Sequence, residues 1–274
     1  MSGSDASEDR DGTGNREHVR VEHVEDVGRI VMDRPGRHNA MNREMVGELR
    51  EAAVDLAEDD GVRCIVLTGT GGTFNTGADL SVLAGDASDS RRLRGIAARL
   101  HGAVAALAEA PKPVVTGVNG VAAGGGFGLS LSGDVVVVSE DARFEYTYPR
   151  IGLSGDGGST FFLPRLVGHR RAREIALLDE PIPPDRAVEM GLATEVVPDA
   201  EFEDRLATVA AGLADGPTRA HAAVKRLLNR SYGRDLRTQL AAETDALTGL
   251  TSTADYARGH EAFFGEESPE FEGR

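Results

Sequence analysis

Apolar positions change their period several times along the chain. The stretch "HVRVEHVEDVGRIVMDR" alternates apolar and polar residues on either side of a turn at Glu25–Gly28, which predicts a β-hairpin. After Asn42, apolar residues fall at Met45, Leu49, Ala52, Ala53 and Leu56, the stripe of an amphipathic helix opened by an N-capping asparagine. "RCIVLTG" predicts a buried strand, followed by the loop "TGGTFNTGADL" and a helix around 90–109. "PKPVVTGVNG" predicts a second strand running into a glycine cluster. "DVVVVSE" has the unbroken β-branched character of a strand covered on both faces. Beyond Gly157 the period becomes helical, with one segment closing at Leu163–Gly168 and another in "RRAREIALLD". "PPDRAVEMGLATEVVP" reads as a short helix and a strand, and three or four amphipathic helices fill 199–264. Strands alternating with helices and then helices alone predict an α/β fold with a helical C-terminal part. The expected divisions are a disordered acidic tail over 1–17, an α/β core over 18–198 and a helical region over 199–274.

Composition narrows the function classes. With 274 residues and 40% hydrophobic content the chain can bury a substantial core. No apolar run approaches a membrane span, and the N-terminus lacks the apolar core of a secretion signal, so a cytoplasmic protein without membrane association is expected. The single cysteine, Cys64, cannot form an internal disulfide and reads as a small core residue. The formal net charge of −15 opposes binding to nucleic-acid phosphates. Lys112 and Lys225 are the only lysines among 30 basic residues, and this scarcity beside abundant Asp and Glu suits a salt-rich, halophilic cytoplasm.

Candidate chemistry gathers in the glycine-rich stretches. They contain no dinucleotide fingerprint, P-loop or nucleophile elbow, and no His/Cys/Asp group has metal-ligand spacing. "FNTGADL" and "NGVAAGGGFGLSL" each carry a strand through a glycine turn into a helix. Two such turns are either tight packing in an α/β core or, converging, a pair of backbone N–H donors for one oxygen. In "IGLSGDGGST" the carboxylate of Asp156 stands among small residues. It either caps the following helix or is held in a site where it moves a proton.

Several co-linear stretches carry a resemblance: "MDRPGRHNAMN", "VRCIVLTGTGGTFNTGADL", "PKPVVTGVNGVAAGGGFGLSLSGD", "ARFEYTYPRIGLSGDGGSTFFLPRLVG" and "AVEMGLATEVVP". Across about residues 19–272 the chain resembles the crotonase (enoyl-CoA hydratase/isomerase) superfamily. The resemblance implies a spiral of ββα units, a C-terminal helical trimerisation region and homo-trimers or hexamers. It also implies an acyl-CoA thioester substrate, with no cofactor beyond the coenzyme A carried by that substrate. It places the two oxyanion-hole amides on Thr76 and Gly125. Substrate contacts are implied at Arg37, His38 and Ala40, at Ala78, Asp79 and Leu80, and at Gly124 and Tyr148.

The departures from that pattern direct the choice of reaction. Where family hydratases carry two glutamates, this chain has Gly128 and Tyr148, which removes the pair needed to activate water and protonate carbon. Some family isomerases carry an acid at the place of Asp156, and aromatic acyl-CoA dehalogenases use an aspartate there as nucleophile. The resemblance therefore implies an enoyl-CoA isomerase with Asp156 as its single acid/base. A hydratase, a dehalogenase or a non-catalytic acyl-CoA binder is the alternative. Glu145 is expected to face away from the site by strand alternation. His101, where the dehalogenases keep a base, reads as a half-exposed helix residue. Phe127, Phe161 and Phe162 are expected as apolar walls around Asp156. Arg37, His38 and the "RRLR" run at 91–94 are possible phosphate partners, because Glu266 and Glu267 stand where relatives place basic residues.

Overall fold

The computed structural model describes residues 16–266 and 268–274. The expected tail over 1–17 lies almost wholly outside the described residues, as does Glu267. The hairpin forms as β1 (Val19–Val24) and β2 (Val27–Met32), antiparallel, with Glu25 in the left-handed region at its turn. Asn42 caps α1 (Arg43–Glu58) by accepting the Met45 N–H at 2.9 Å, and the apolar stripe of α1 is buried. β3 (Cys64–Gly69) is buried throughout, and α2 (Asp89–Glu109) packs on α1. β4 (Val114–Val118), β5 (Val121–Ala123), α3 (Gly125–Ser130), β6 (Val135–Ser139) and β7 (Arg143–Glu145) follow. Then come α4 (Ser159–Leu178), α5 (Pro184–Met190), β8 (Glu195–Val197), α6 (Phe202–Ala214), α7 (Thr218–Ser231), α8 (Leu236–Leu250) and α9 (Ala254–Gly265).

The strands build a spiral. The main sheet has the order β1-β2-β3-β4-β6-β8, parallel from β2 onward. Between its visits to that sheet the chain adds a rung to a second, smaller ladder. The rungs are Met41 beside Ala78, Asn75 beside Ala122, β5 beside β7, and Phe144 beside Ile182. Each turn thus supplies one long strand, one short rung and a helix, as the resemblance implies.

As the sequence predicts, the helix breaks at Gly168, whose φ 73° and ψ 160° are not helical, so α4 is two helical segments meeting at a kink. One expectation changes. The core does not end at 198, because Phe202, Leu206, Ala210 and Ala214 of α6 pack on Val66, Val115 and Val137, the sheet face opposite α1 and α2. A parallel sheet needs cover on both faces, and α6 supplies one of them.

Candidate active site

A cavity of ≈ 320 Å³ lies where the first three turns of the spiral meet α2 and the loop before α4. Its polar edge is backbone. Gly77 has φ +85°, and a Cβ there would stand 3.1 Å from the Gly125 nitrogen, so the two glycine turns touch. The Gly77 carbonyl accepts the Met41 N–H at 2.7 Å, and the Asp79 N–H donates to Met41 O at 2.9 Å. A trans peptide points its C=O and N–H in opposite directions. The Ala78 N–H therefore points away from Met41, toward the Gly125 side, and among the described residues it has no acceptor. Gly125 opens α3, where the first-turn amides have no intrahelical partner.

This corrects one expectation. The Asn75 carbonyl accepts the Ala123 N–H at 2.9 Å, so the next amide, that of Thr76, points away from the triple glycine. The Thr76 hydroxyl donates to His38 O at 3.1 Å. Ala78 rather than Thr76 presents the amide that accompanies Gly125. The reason is peptide orientation within a ladder, which residue types do not encode.

Of the other expected residues, Leu80, Gly124, Tyr148 and Asp156 border the cavity together with Thr76, Ala78 and Gly125. Arg37, His38, Ala40 and Asp79 do not border it. Arg37 and His38 are exposed in and beside a short 3-10 turn. Ala40 O accepts from Arg34 Nη1 at 2.8 Å. Asp79 is buried in an ion pair with Arg34 at 2.8 Å and accepts from the Ser81 hydroxyl and N–H. Burial alone would raise the Asp79 carboxyl, but hydrogen bonds from Ser81 and Arg34 hold it below its usual range. Asp79 fastens the loop that carries Ala78. Of the "RRLR" run, Leu93 and Arg94 reach the cavity wall.

Asp156 is not a helix cap. The N-cap of α4 is Gly158 in the left-handed region, without a side-chain cap, and only the backbone carbonyl of Asp156 bonds the helix, accepting the Ser159 N–H at 3.1 Å. The carboxylate turns instead to His101, whose Nε2 meets Oδ1 of Asp156. The contact spans 55 residues between a helix and a loop, and no local sequence pattern signals it. Asp156 is also the only carboxylate among the residues that border the cavity.

The loop bearing Asp156 lies against the triple-glycine turn. A Cβ on Gly128 would come within 2.4 Å of Gly157 O and 2.7 Å of Asp156 O. The space a side chain at 128 would use is filled by the backbone that carries Asp156. Tyr148 is buried, and its hydroxyl lacks a hydrogen-bond partner among the described residues. Burial, and then the Asp156 charge, push its phenol far above the usual range, so it stays neutral.

Glu145 stays off the cavity. Its carboxylate is buried between Arg143 and Arg150, the latter 2.6 Å away. Burial works to raise it, yet hydrogen bonds from Arg143 and Arg150 hold it low. Phe127 is no wall of the site, being fully buried against Phe144 and Tyr146. Phe161 and Phe162 do lie near Asp156, bordering a second cavity on its other side. Among the described residues no cluster of three His, Cys, Asp or Glu side chains could hold a metal ion.

Two convergent amides beside one carboxylate, on a spiral of ββα turns, suit the chemistry of a thioester. A family model described as enoyl-CoA hydratase/isomerase matches residues 22–274. The chain belongs to the enoyl-CoA hydratase/isomerase family. Among its relatives in that family is a Rhodobacter capsulatus protein named "Probable enoyl-CoA hydratase", 39% identical over 93% of this chain and 98% of the relative. The 1,2-epoxyphenylacetyl-CoA isomerase of Escherichia coli is 36% identical over 93% and 98%. The 4-chlorobenzoyl coenzyme A dehalogenase-2 of an Arthrobacter species is 38% identical over 80% of each chain. The crystal structure of an enoyl-CoA hydratase from Bacillus anthracis superimposes with a TM-score of 0.88 at 28% identity, covering 94% of this chain and 100% of that one. Membership of the enoyl-CoA hydratase/isomerase family makes this an acyl-CoA enzyme on the crotonase fold, while the relatives' names divide among three reactions.

Proposed function

We propose that the protein shifts a double bond within an enoyl-CoA, from the β,γ to the α,β position, with Asp156 as the one acid/base. The amides of Ala78 and Gly125 hold the thioester oxygen. Asp156 takes the proton from the α-carbon, the electron pair spreads through the dienolate onto that oxygen, and the same proton returns at the γ-carbon. His101 steadies the carboxylate, and neutral Tyr148 closes the wall behind it. The observation that carries this reading is the single carboxylate. Hydration must both activate water and deliver a proton to carbon, and the space beside Gly128 leaves no room for a second acid.

Asp156→Asn tests it. Turnover of a β,γ-enoyl-CoA should fall at least ~100-fold, the scale of losing a general base, with acyl-CoA affinity nearly unchanged. Because Asp156 caps nothing, thermal stability should also stay put. Retained isomerisation in that variant would remove Asp156 from the mechanism.

One observation favours a second reading. A histidine in contact with the aspartate is the arrangement a covalent route would use, Asp156 attacking an aromatic ring carbon and His101 serving the hydrolysis of the resulting ester. Halide release from a halo-aromatic acyl-CoA by the parent protein, lost in His101→Gln, would favour it.

A further inference from the structure

Asp156 and Gly155 border two cavities. Beyond them, away from the Ala78 and Gly125 amides, lies a larger one of ≈ 640 Å³ between α2, the start of α4 and α7. That volume is within the range of sites for small organic ligands. Its middle is apolar, formed by Val104, Ala105 and Ala108 of α2 and by Phe161 and Phe162 of α4. The far wall is α7, which presents Lys225, Arg226, Asn229 and Arg230 along one helical stripe.

The charges on that wall are unequal in kind. Lys225 is buried, and its charge is met by Asp134 at 2.7 Å and by the Leu107 carbonyl at 2.9 Å. Asn229 is spent on Ala108 O at 2.8 Å, so with Lys225 it ties α7 to the end of α2. Arg226 and Arg230 are different. Both are exposed and form no ion pair among the described residues. Of the two carboxylates that border the cavity, Asp156 is in contact with His101, which leaves Glu109 with the two guanidiniums at the α7 end. An anion at this wall would be separated from Asp156 by an apolar span.

We infer that this cavity receives the far end of the acyl group and selects acyl chains that end in a carboxylate, held by Arg226 and Arg230. The inference rests on the proposed role of Asp156, and deepens it by naming the substrate class. A thioester oxygen on the Ala78 and Gly125 amides leaves the coenzyme on their side of Asp156. The carbons beyond the α-position then extend past Asp156, over Phe161 and Phe162, toward α7. Guanidinium pairs recognise carboxylates by charge-assisted, often bidentate hydrogen bonds, whereas an alkyl end at that wall would bury apolar surface against charge.

The test compares two ten-carbon β,γ-enoyl-CoA esters that differ only in a terminal carboxylate, assayed with the parent protein and with the double variant Arg226→Leu/Arg230→Leu. The matching saturated esters are titrated by calorimetry. The parent should favour the carboxylate ester at least tenfold in kcat/KM and in binding, and the variant should bring that ratio close to one, through KM rather than kcat. No preference in the parent, or a ratio that survives in the variant, would overturn the inference. Acyl-pantetheine esters, which lack the coenzyme's phosphates, separate the other source of anion. If the variant weakens both CoA esters equally and neither pantetheine ester, the arginines bind coenzyme phosphate and the inference is wrong. A binding preference without turnover of either ester would uphold it and reject the isomerase reading instead.

Discussion

Gly128 shows how one missing side chain can decide a reaction. Its Cα faces the carbonyls of Asp156 and Gly157 so closely that even a methyl group requires the loop to move. Gly128→Ala should therefore cost about 1–3 kcal/mol of stability, as overpacking does, and lower activity by displacing Asp156; thermal melts and turnover check both. Tyr148, at the other place where a hydratase acid is expected, behaves differently. Its hydroxyl has no hydrogen-bond partner among the described residues, so Tyr148→Phe should leave the melting temperature within a few degrees of the parent. At Thr76 the hydroxyl serves His38 O and the amide faces away, so Thr76→Ala should keep most activity. A loss of about 3 kcal/mol, or a hundredfold in rate, would indicate that the Thr76 hydroxyl has a role beyond holding His38 O, because the substitution leaves the amide in place.

At the scale of elements, the start of the stretch between β7 and α4 is anchored by two ion pairs of one arginine. Arg150 joins Glu145 to Asp179, each at 2.6 Å, so the short turn at Tyr148–Ile151 is clamped between β7 and the end of α4. Asp79 clamps the Ala78 loop to Arg34 in the same way. Glu145 and Asp79 are both held below their usual range. A carboxylate depressed in the folded state adds stability that is present above its unfolded pKa of ~4 and lost as pH falls through the lower folded value. The melting temperature should be flat from neutral pH to about 5 and fall steeply below about 4. Glu145→Gln should be less stable than the parent at pH 7 and show a shallower acid limb. A parallel pair of curves would mean that the clamp carries no linked protons.

At the scale of the molecule, the described surface is apolar where the C-terminal helices lie. Leu228, Leu236, Leu240, Leu247, Phe263 and Phe264 are all at least half exposed, more than a monomer usually leaves in one region. We expect this face to be covered by further copies in a trimer or hexamer. A chain of net charge −15 should assemble more readily as salt screens repulsion. Light scattering across a salt series should show mass rising with salt, and a monomer throughout would refute it. The two lysines fit the same surface. Both are buried, Lys112 donating to Leu56 O and Asp59 O at 2.9 and 2.7 Å, so no lysine is left on the outside. The proposal of a salt-rich setting gains support from that placement.

The hairpin, the buried parallel strands, the Asn42 cap and the stripe of α1 follow from the sequence, because each depends on residues a few positions apart. The family pattern marked the glycine turns and Asp156 for the same reason: a motif is local, and its glycines record where backbone approaches backbone. The helix break at Gly168 was legible for the same reason, a glycine being free to leave helical geometry, whereas the packing of α6 on a sheet face was not. Which amide faces Gly125 depended on where the neighbouring carbonyls bond, and only the ladder between Met41, Asn75, Ala78 and Ala123 decided for Ala78 over Thr76. Whether Asp156 caps or reaches depended on His101, distant in the chain. Local sequence specifies conformation and periodicity, while the direction of a peptide dipole and the partner of a carboxylate are set by contacts that exist only once distant turns of the spiral have packed.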